Sequence, residues 1–306
     1  MTADDNRPAT GSAESPPAPL VPGVAPTPPL APGPPGPHRP PDAPAAPAKI
    51  SLDAVSKRFD SRGASLEALG PISLDARDGE FVVFVGPSGC GKTTLLNLVA
   101  GFERPSAGRV LLDGEEVTGP GADRVMIFQE PALFPWLTVI DNVTFGLAAS
   151  RGLPASERQA IALRHLALVH LEGFAHAFVH ELSGGMKQRV ALARALAPEP
   201  RVLLCDEPFG SLDALTRERL YAELQDIHSR TGRTTLFVTH NTREAACLAD
   251  RVVVLSERPA RTRRVVEVTL PRPRDFYDPR VSRLASEILA ELRAGHVSDN
   301  GGADGR

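Results

Sequence analysis

Phe81-Val-Val-Phe-Val-Gly-Pro-Ser-Gly-Cys-Gly-Lys-Thr-Thr-Leu-Leu-Asn-Leu-Val-Ala100 holds two periodicities with a glycine-rich break between them. Phe81 to Val85 is continuously apolar and rich in Val and Phe, the composition of a strand buried on both faces. Lys92 to Ala100 is an apolar helical run. Between them Gly86-Pro-Ser-Gly-Cys-Gly-Lys-Thr93 fits G-x-x-x-x-G-K-[ST], and strand, glycine loop, helix is the context a phosphate loop requires. Glycines let successive backbone N–H groups converge on phosphate oxygens, helped by the positive end of the following helix. The candidate phosphate-binding residues are Gly86, Pro87, Ser88, Gly89, Cys90, Gly91, Lys92, Thr93 and Thr94. Lys92 is expected to reach the β- and γ-phosphates, and the Thr93 hydroxyl to ligate Mg²⁺.

Working outward, Ile50 to Val55 and Ile72 to Asp75 read as short strands, and Arg201 to Cys205 and Thr235 to Val238 as buried ones. Leu212 to Ser229 reads as a helix ending near Gly232. Strands alternating with helices predict a largely parallel α/β sheet covered on both faces. From about residue 131 to 198 the pattern is mainly helical and looks like an insertion. There Ser156 with Gln159 predicts a capping box, and Ala162, Leu166 and Val169 mark one apolar face. Ser183-Gly-Gly185 opens a helix running to about Ala197 and stopped by Pro198.

The rest of the chain frames this domain, expected at residues 49–298. Residues 1–48 are a Pro/Ala/Gly tract with little to bury, expected to stay disordered with polyproline II character. Residues 299–306 are expected to fray. The net charge is -3, which argues against a dedicated nucleic-acid binder. Cys90, Cys205 and Cys247 are too scattered for a disulfide framework or a zinc site. No apolar run approaches the ~18–20 residues that span a bilayer, and the N-terminus lacks the pattern of a secretory signal. The chain is expected to stay in the cytoplasm and to meet a membrane only through a partner.

Three further features carry chemistry. Leu203-Leu-Cys-Asp206-Glu207 is an apolar strand ending in two acids. Behind a phosphate loop these suit Mg²⁺ coordination by Asp206 and water activation by Glu207. His240 follows the Thr235–Thr239 strand and Gln129 follows Val125-Met-Ile-Phe128. Each is ordinary alone, but beside a γ-phosphate His240 could hold the attacking water. Ser183, Gly184 and Gly185 make a second anion-ready helix start. A chain rarely needs two phosphate sites for one nucleotide. The economical explanation is a dimer, each nucleotide held between one subunit's phosphate loop and the other's Ser183 loop.

The order phosphate loop, Gln129, Ser-Gly-Gly, Asp-Glu, His240 resembles the ABC ATPase family along nearly the whole globular length. The resemblance implies a P-loop NTPase fold with an inserted helical subdomain. It implies Phe59 as the aromatic stacking on adenine and Gln129 as a link from Mg²⁺ to the helical subdomain. It likewise implies Ser211-Leu-Asp213 as a loop coupling two sites across a dimer, Glu207 as catalytic base and His240 as γ-phosphate sensor. Phe128-Gln-Glu-Pro-Ala-Leu-Phe-Pro-Trp-Leu-Thr-Val139, Leu182-Ser-Gly-Gly-Met-Lys-Gln-Arg189 and Val253-Val-Leu-Ser-Glu-Arg-Pro259 are most similar to importer ATPases for nitrate, sulfonates and taurine. Met186 stands where most of the family has Gln, as is common in that subgroup. Val179 stands where Pro often precedes the signature loop. Too few residues follow the last strand for the regulatory domain of sugar-importer ATPases.

The resemblance further implies a homodimer at the cytoplasmic face of the cell membrane, peripheral through integral membrane permease subunits. A periplasmic or lipid-anchored substrate-binding protein would act indirectly. Trp136 and Leu137 are the expected edge of the permease groove. The alternatives are an importer of another small nutrient, or a soluble ABC ATPase acting on DNA or ribosomes. The latter typically carries coiled-coil arms or two fused ATPase domains, and neither is present. A regulatory protein with dead chemistry is argued against by Lys92, Asp206, Glu207 and His240.

Overall fold

The computed structural model describes residues 48–61, 64–150, 152–210 and 212–299. The expected N-terminal extension, apart from Ala48, lies outside the described residues, as do Ser211 and the expected tail apart from Asp299.

A β-hairpin of β1 (Ala48–Ser61) and β2 (Ala64–Arg77) opens the fold. β1 also pairs antiparallel with β4 (Ala107–Leu112), which pairs with β5 (Glu115–Glu116), giving a sheet ordered β2-β1-β4-β5. The two short strands predicted at Ile50 to Val55 and Ile72 to Asp75 lie within β1 and β2, but β4 and β5 were not anticipated and the hairpin is longer than expected. Its register shifts at Leu52/Val55, Val55/Lys57 and Lys57/Arg58, which breaks the alternation that marks a strand. Residues 64–67 are exposed on both faces, so hydrophobic pattern cannot reveal them.

The second sheet is ordered β10-β9-β3-β8-β7-β6. Its strands are β3 (Phe81–Val85), β6 (Arg124–Ile127), β7 (Val202–Asp206), β8 (Thr234–Thr239), β9 (Arg251–Leu255) and β10 (Thr262–Glu267). All its pairs are parallel except β9 with edge strand β10. Every residue of β3 is buried, and successive residues feed different cores. Phe81, Val83 and Val85 join the core beneath the helical segment. Val82 and Phe84 join the one shared with α1 (Lys92–Ala100) and the antiparallel sheet. Each such side chain contributes roughly 1.5–3 kcal/mol of burial.

Between β6 and β7 lie α2 (Val139–Ser150), α3 (Ala155–Leu168) and α4 (Gly184–Leu196), packed on one another. Ala162, Leu166 and Val169 are fully buried, as the apolar face requires. The capping box does not form. α3 begins one residue before Ser156, and Pro154, at φ -56°, is its N-cap without a side-chain bond. The Pro154 carbonyl accepts from Glu157 and Arg158 N–H instead, both at 3.1 Å. α5 (Ala214–Thr231) ends at Gly232 in the left-handed region. Two helices were not anticipated: α6 (Thr242–Leu248) and α7 (Pro279–Asp299), which pack together. The three cysteines are free and buried.

Candidate active site

The chemistry-bearing residues leave the carboxyl ends of neighbouring parallel strands, where open α/β sheets gather ligands. The glycine loop follows β3, Gln129 follows β6, Asp206 and Glu207 end β7, and His240 follows β8. Register brings them level: Val85 lies opposite Thr239, and Asp206 opposite Val238.

The loop is held from several sides. Gly91 sits at φ 122°, and a Cβ there would stand 2.7 Å from Leu69 Cδ2 and 2.9 Å from the Ala68 carbonyl. Only glycine fits so close a crossing of β2. Lys92 is 5% exposed. Its ammonium donates to the Gly86 and Pro87 carbonyls, both at 2.9 Å, and lies 3.6 Å from Glu207 Oε1. Arg258 donates to the Gly89 carbonyl. With Glu257 it lines an open cleft against Pro87, Ser88, Gly89 and Cys90. Sequence reasoning missed this contact. The only signal was a charged pair just past a strand that neighbours β3.

Thr93 Oγ1 donates to Asp206 Oδ1 at 3.1 Å. Burial, and to a lesser degree the neighbouring Glu207 charge, hold the Asp206 carboxyl above its ordinary range, against the pull of Thr93 and Lys92. A hydroxyl and a carboxylate at this spacing are hard oxygen donors, a set that fits Mg²⁺ completed by phosphate oxygens and water. Glu207 has φ 41°, a left-handed backbone unusual for a residue with a side chain. Its N–H donates to Val238 O at 3.1 Å, tying that turn to β8. Glu207 Oε2 and His240 Nδ1 are 2.8 Å apart. Lys92, Glu207 and His240 thus form one connected cluster, with Thr93 and Asp206 bonded to each other next to it in sequence.

The remaining predicted residues lie around it. Gln129 is exposed, its amide nitrogen 3.5 Å from where a Cβ on Gly210 would stand. Phe59 is 37% exposed, paired with Leu66 across the hairpin, with the Lys57 ammonium 4.8 Å from its ring. Ser183 is exposed and caps α4, its hydroxyl accepting from Met186 N–H at 3.3 Å. Gly185 is buried against Thr216 and Gly184 faces Leu212. The Ser183 loop is therefore packed on the start of α5, while the phosphate loop is packed on β2 and the loop after β9.

The description "ABC transporter" belongs to the family model that matches residues 69–210. An uncharacterised ABC transporter ATP-binding protein of Methanocaldococcus jannaschii is 50% identical over 253 residues, 80% of this chain and 94% of that one. A taurine import ATP-binding protein of Burkholderia thailandensis is 50% identical over 214 residues, 70% of this chain and 82% of that one. Among solved structures, a dimeric ATP-binding cassette in a post-hydrolysis state with ADP and phosphate has a TM-score of 0.64 at 31% identity. That match covers 72% of this chain and all of the cassette.

Proposed function

The chain belongs to the ABC transporter ATP-binding proteins, and we propose from that premise that it is the ATP-hydrolysing subunit of an importer of small anions such as taurine, other sulfonates or nitrate. The observation that carries the chemistry is the 2.8 Å contact of Glu207 with His240 beside buried Lys92. Phosphoryl transfer to water needs positioning and charge stabilisation more than covalent help. Lys92 and the loop amides neutralise the phosphate oxygens. Glu207 takes a proton from water as its oxygen bonds to the γ-phosphorus and the bond to the leaving ADP oxygen breaks. His240 holds the water or γ-phosphate oxygen through a hydrogen bond. Thr93 and Asp206 would hold Mg²⁺, with Gln129 linking it to the helical segment, and the ion would supply charge neutralisation for the phosphates.

Ser183, Gly184 and Gly185 of a second copy complete each site, because the Ser183 loop is packed on α5 of its own chain with its helix end outward. Phe59 covers the adenine. Closure of two copies on ATP drives the transporter only in so far as the closed state holds ATP more tightly. The helical segment, residues 131–198, moves as a subdomain and meets permease subunits at the membrane's cytoplasmic face, with a separate substrate-binding protein delivering the anion. Trp136 is 72% exposed and Phe145 53%, and both pack on Phe134, at 5.6 and 4.4 Å between ring centroids. An exposed aromatic group of this kind suits an interface anchor. Trp136→Ala should weaken co-purification with the permease by ~30-fold, about 2 kcal/mol. Unchanged co-purification would remove this surface from the reading.

The function is tested by growth of a strain lacking the gene on taurine, alkanesulfonates, sulfate or nitrate as sole sulfur or nitrogen source. Failure on one source, rescued by the wild type but not by Lys92→Ala, is the expected result. Normal growth on all of them would point to another nutrient.

A further inference from the structure

Behind His240 lies a buried polar network that the catalytic reading does not use. Glu244 in α6 is 5% exposed, and Thr239 and Tyr221 are 2% each. The Thr239 hydroxyl donates to Glu244 Oε2 and the Tyr221 hydroxyl to Oε1, both at 2.5 Å. Thr239 Oγ1 also accepts from the Asn241 N–H at 2.9 Å. Asn241 Oδ1 in turn caps α6 through the N–H groups of Arg243 and Glu244, at 2.9 and 3.3 Å. Both chain neighbours of His240 are therefore fastened to α6, although His240 itself is exposed.

The same carboxylate reaches the other half of the catalytic pair. Tyr221 lies on α5, the helix that follows the Glu207 turn. Its ring meets Phe209 edge-on at 5.5 Å, and Phe209 packs on Phe237 of β8 at 6.0 Å. Gly210 N–H donates to the Glu207 carbonyl at 3.1 Å, closing the turn between Glu207 and Phe209. The segments carrying Glu207 and His240, already paired as β7 and β8, are thus joined twice more by side chains, at the surface through Glu207 and His240 themselves and in the core through Tyr221 and Glu244.

A buried carboxylate is a poor way to gain stability, since an apolar group of similar volume often serves as well. Burial pushes the Glu244 carboxyl above its ordinary range, and the two hydroxyl donors offset part of that cost. What it supplies is direction, because both oxygens are committed to defined partners.

We propose that Glu244 is a positioning residue for His240, acting with Thr239 and Tyr221 as a buried clamp that holds His240 in register with Glu207. The proposal rests on the reading of Glu207 and His240 as the pair that orients the attacking water. A shift of ~1 Å in such a group can cost up to ~100-fold in rate. The effect should fall on kcat, because the clamp touches neither the adenine side nor the phosphate loop.

The test is a double-mutant cycle on the purified full chain, with MgATP turnover and thermal melting recorded for each protein. Tyr221→Phe, which keeps the ring, and Glu244→Gln should each lower kcat ~10-fold with KM for MgATP within ~2-fold of wild type. In a His240→Ala background the same substitutions should change kcat by less than ~2-fold, because the group they position is gone. Equal losses in both backgrounds, or a lower melting temperature with kcat unchanged, would make the network structural and overturn the proposal. If His240→Ala itself leaves turnover intact, the catalytic reading of His240 fails and the clamp with it. That result is distinct from an additive cycle. Should Glu244→Gln fail to fold, Tyr221→Phe alone completes the cycle.

Discussion

Two glycine-marked helix starts, that of α1 after the phosphate loop and that of α4 after Ser183, look alike as sequence and differ as structure. Gly91, the N-cap of α1, has no side-chain cap, and its first turn is tied instead by tertiary contacts. Lys92 reaches back to the Gly86 and Pro87 carbonyls, Thr93 reaches Asp206, and Arg258 reaches Gly89. At the start of α4 Ser183 spends its hydroxyl on Met186 N–H, and Gly184 and Gly185 pack against Leu212 and Thr216. One helix start is built into a site by its own chain. The other is left exposed at Ser183 and Gly184. A helix N-terminus attracts anions in either case, so the surroundings determine which acts alone.

The contrast can be broken in several ways. The largest effect belongs to the chain-internal cluster. Glu207→Gln should lower turnover by ~10²–10⁴-fold and, with MgATP, accumulate a dimer visible by size-exclusion chromatography. Retained turnover would remove Glu207 as the base. A mixing experiment asks whether the two helix starts serve one nucleotide from different chains. Lys92→Ala and Ser183→Arg proteins should each lack turnover alone, while an equimolar mixture should regain a measurable part of it. In the mixed dimer one site combines an intact phosphate loop with an intact Ser183 loop. No recovery would mean that both act within one chain.

The smallest effect is one of pH. Asp206 has its pKa raised in the folded chain, so it takes up a proton at a higher pH than an ordinary carboxylate. For stability the sign is unfavourable at neutral pH, where folding must keep this buried carboxylate charged. That cost disappears as pH falls through the raised value. For Mg²⁺ the proton is a competitor, and apparent affinity should weaken as pH falls through the same range. Asp206→Asn should bind Mg²⁺ weakly with a flatter pH dependence. An unchanged slope would separate Asp206 from the cation.

Legibility in the sequence followed sharp punctuation. β3 and α1 were read to the residue, because a run of Val and Phe meets glycines and then an apolar helix. α4 and α5 were read to within a residue or two, from Ser183 opening α4 and Gly232 closing α5, while the cap of α5 by Asp213 was not anticipated. The full length of the β1–β2 hairpin escaped because shifting register and an exposed hairpin end erase alternation. Ser156 misled because capping chemistry was present one residue inside the helix, where Pro154 already held the start. α6 escaped because it is short and almost wholly buried, which leaves no polar face to create a period.

By itself the sequence determined the α/β class, the phosphate loop, the two acids at a strand end and the order of motifs. These depend on residue type and local spacing, which steric and hydrogen-bonding rules translate directly into backbone shape. Only the tertiary structure decided which of those groups meet. Glu207 lies 33 residues from His240 yet touches it at 2.8 Å, and Thr93 lies 113 residues from Asp206 yet bonds to it at 3.1 Å. The contacts of Arg258 with the loop and of Glu244 behind His240 are not given by local sequence. Such contacts follow from strand order and parallel register, which are settled by how the whole set of apolar faces can be buried at once, a property no single stretch of sequence contains.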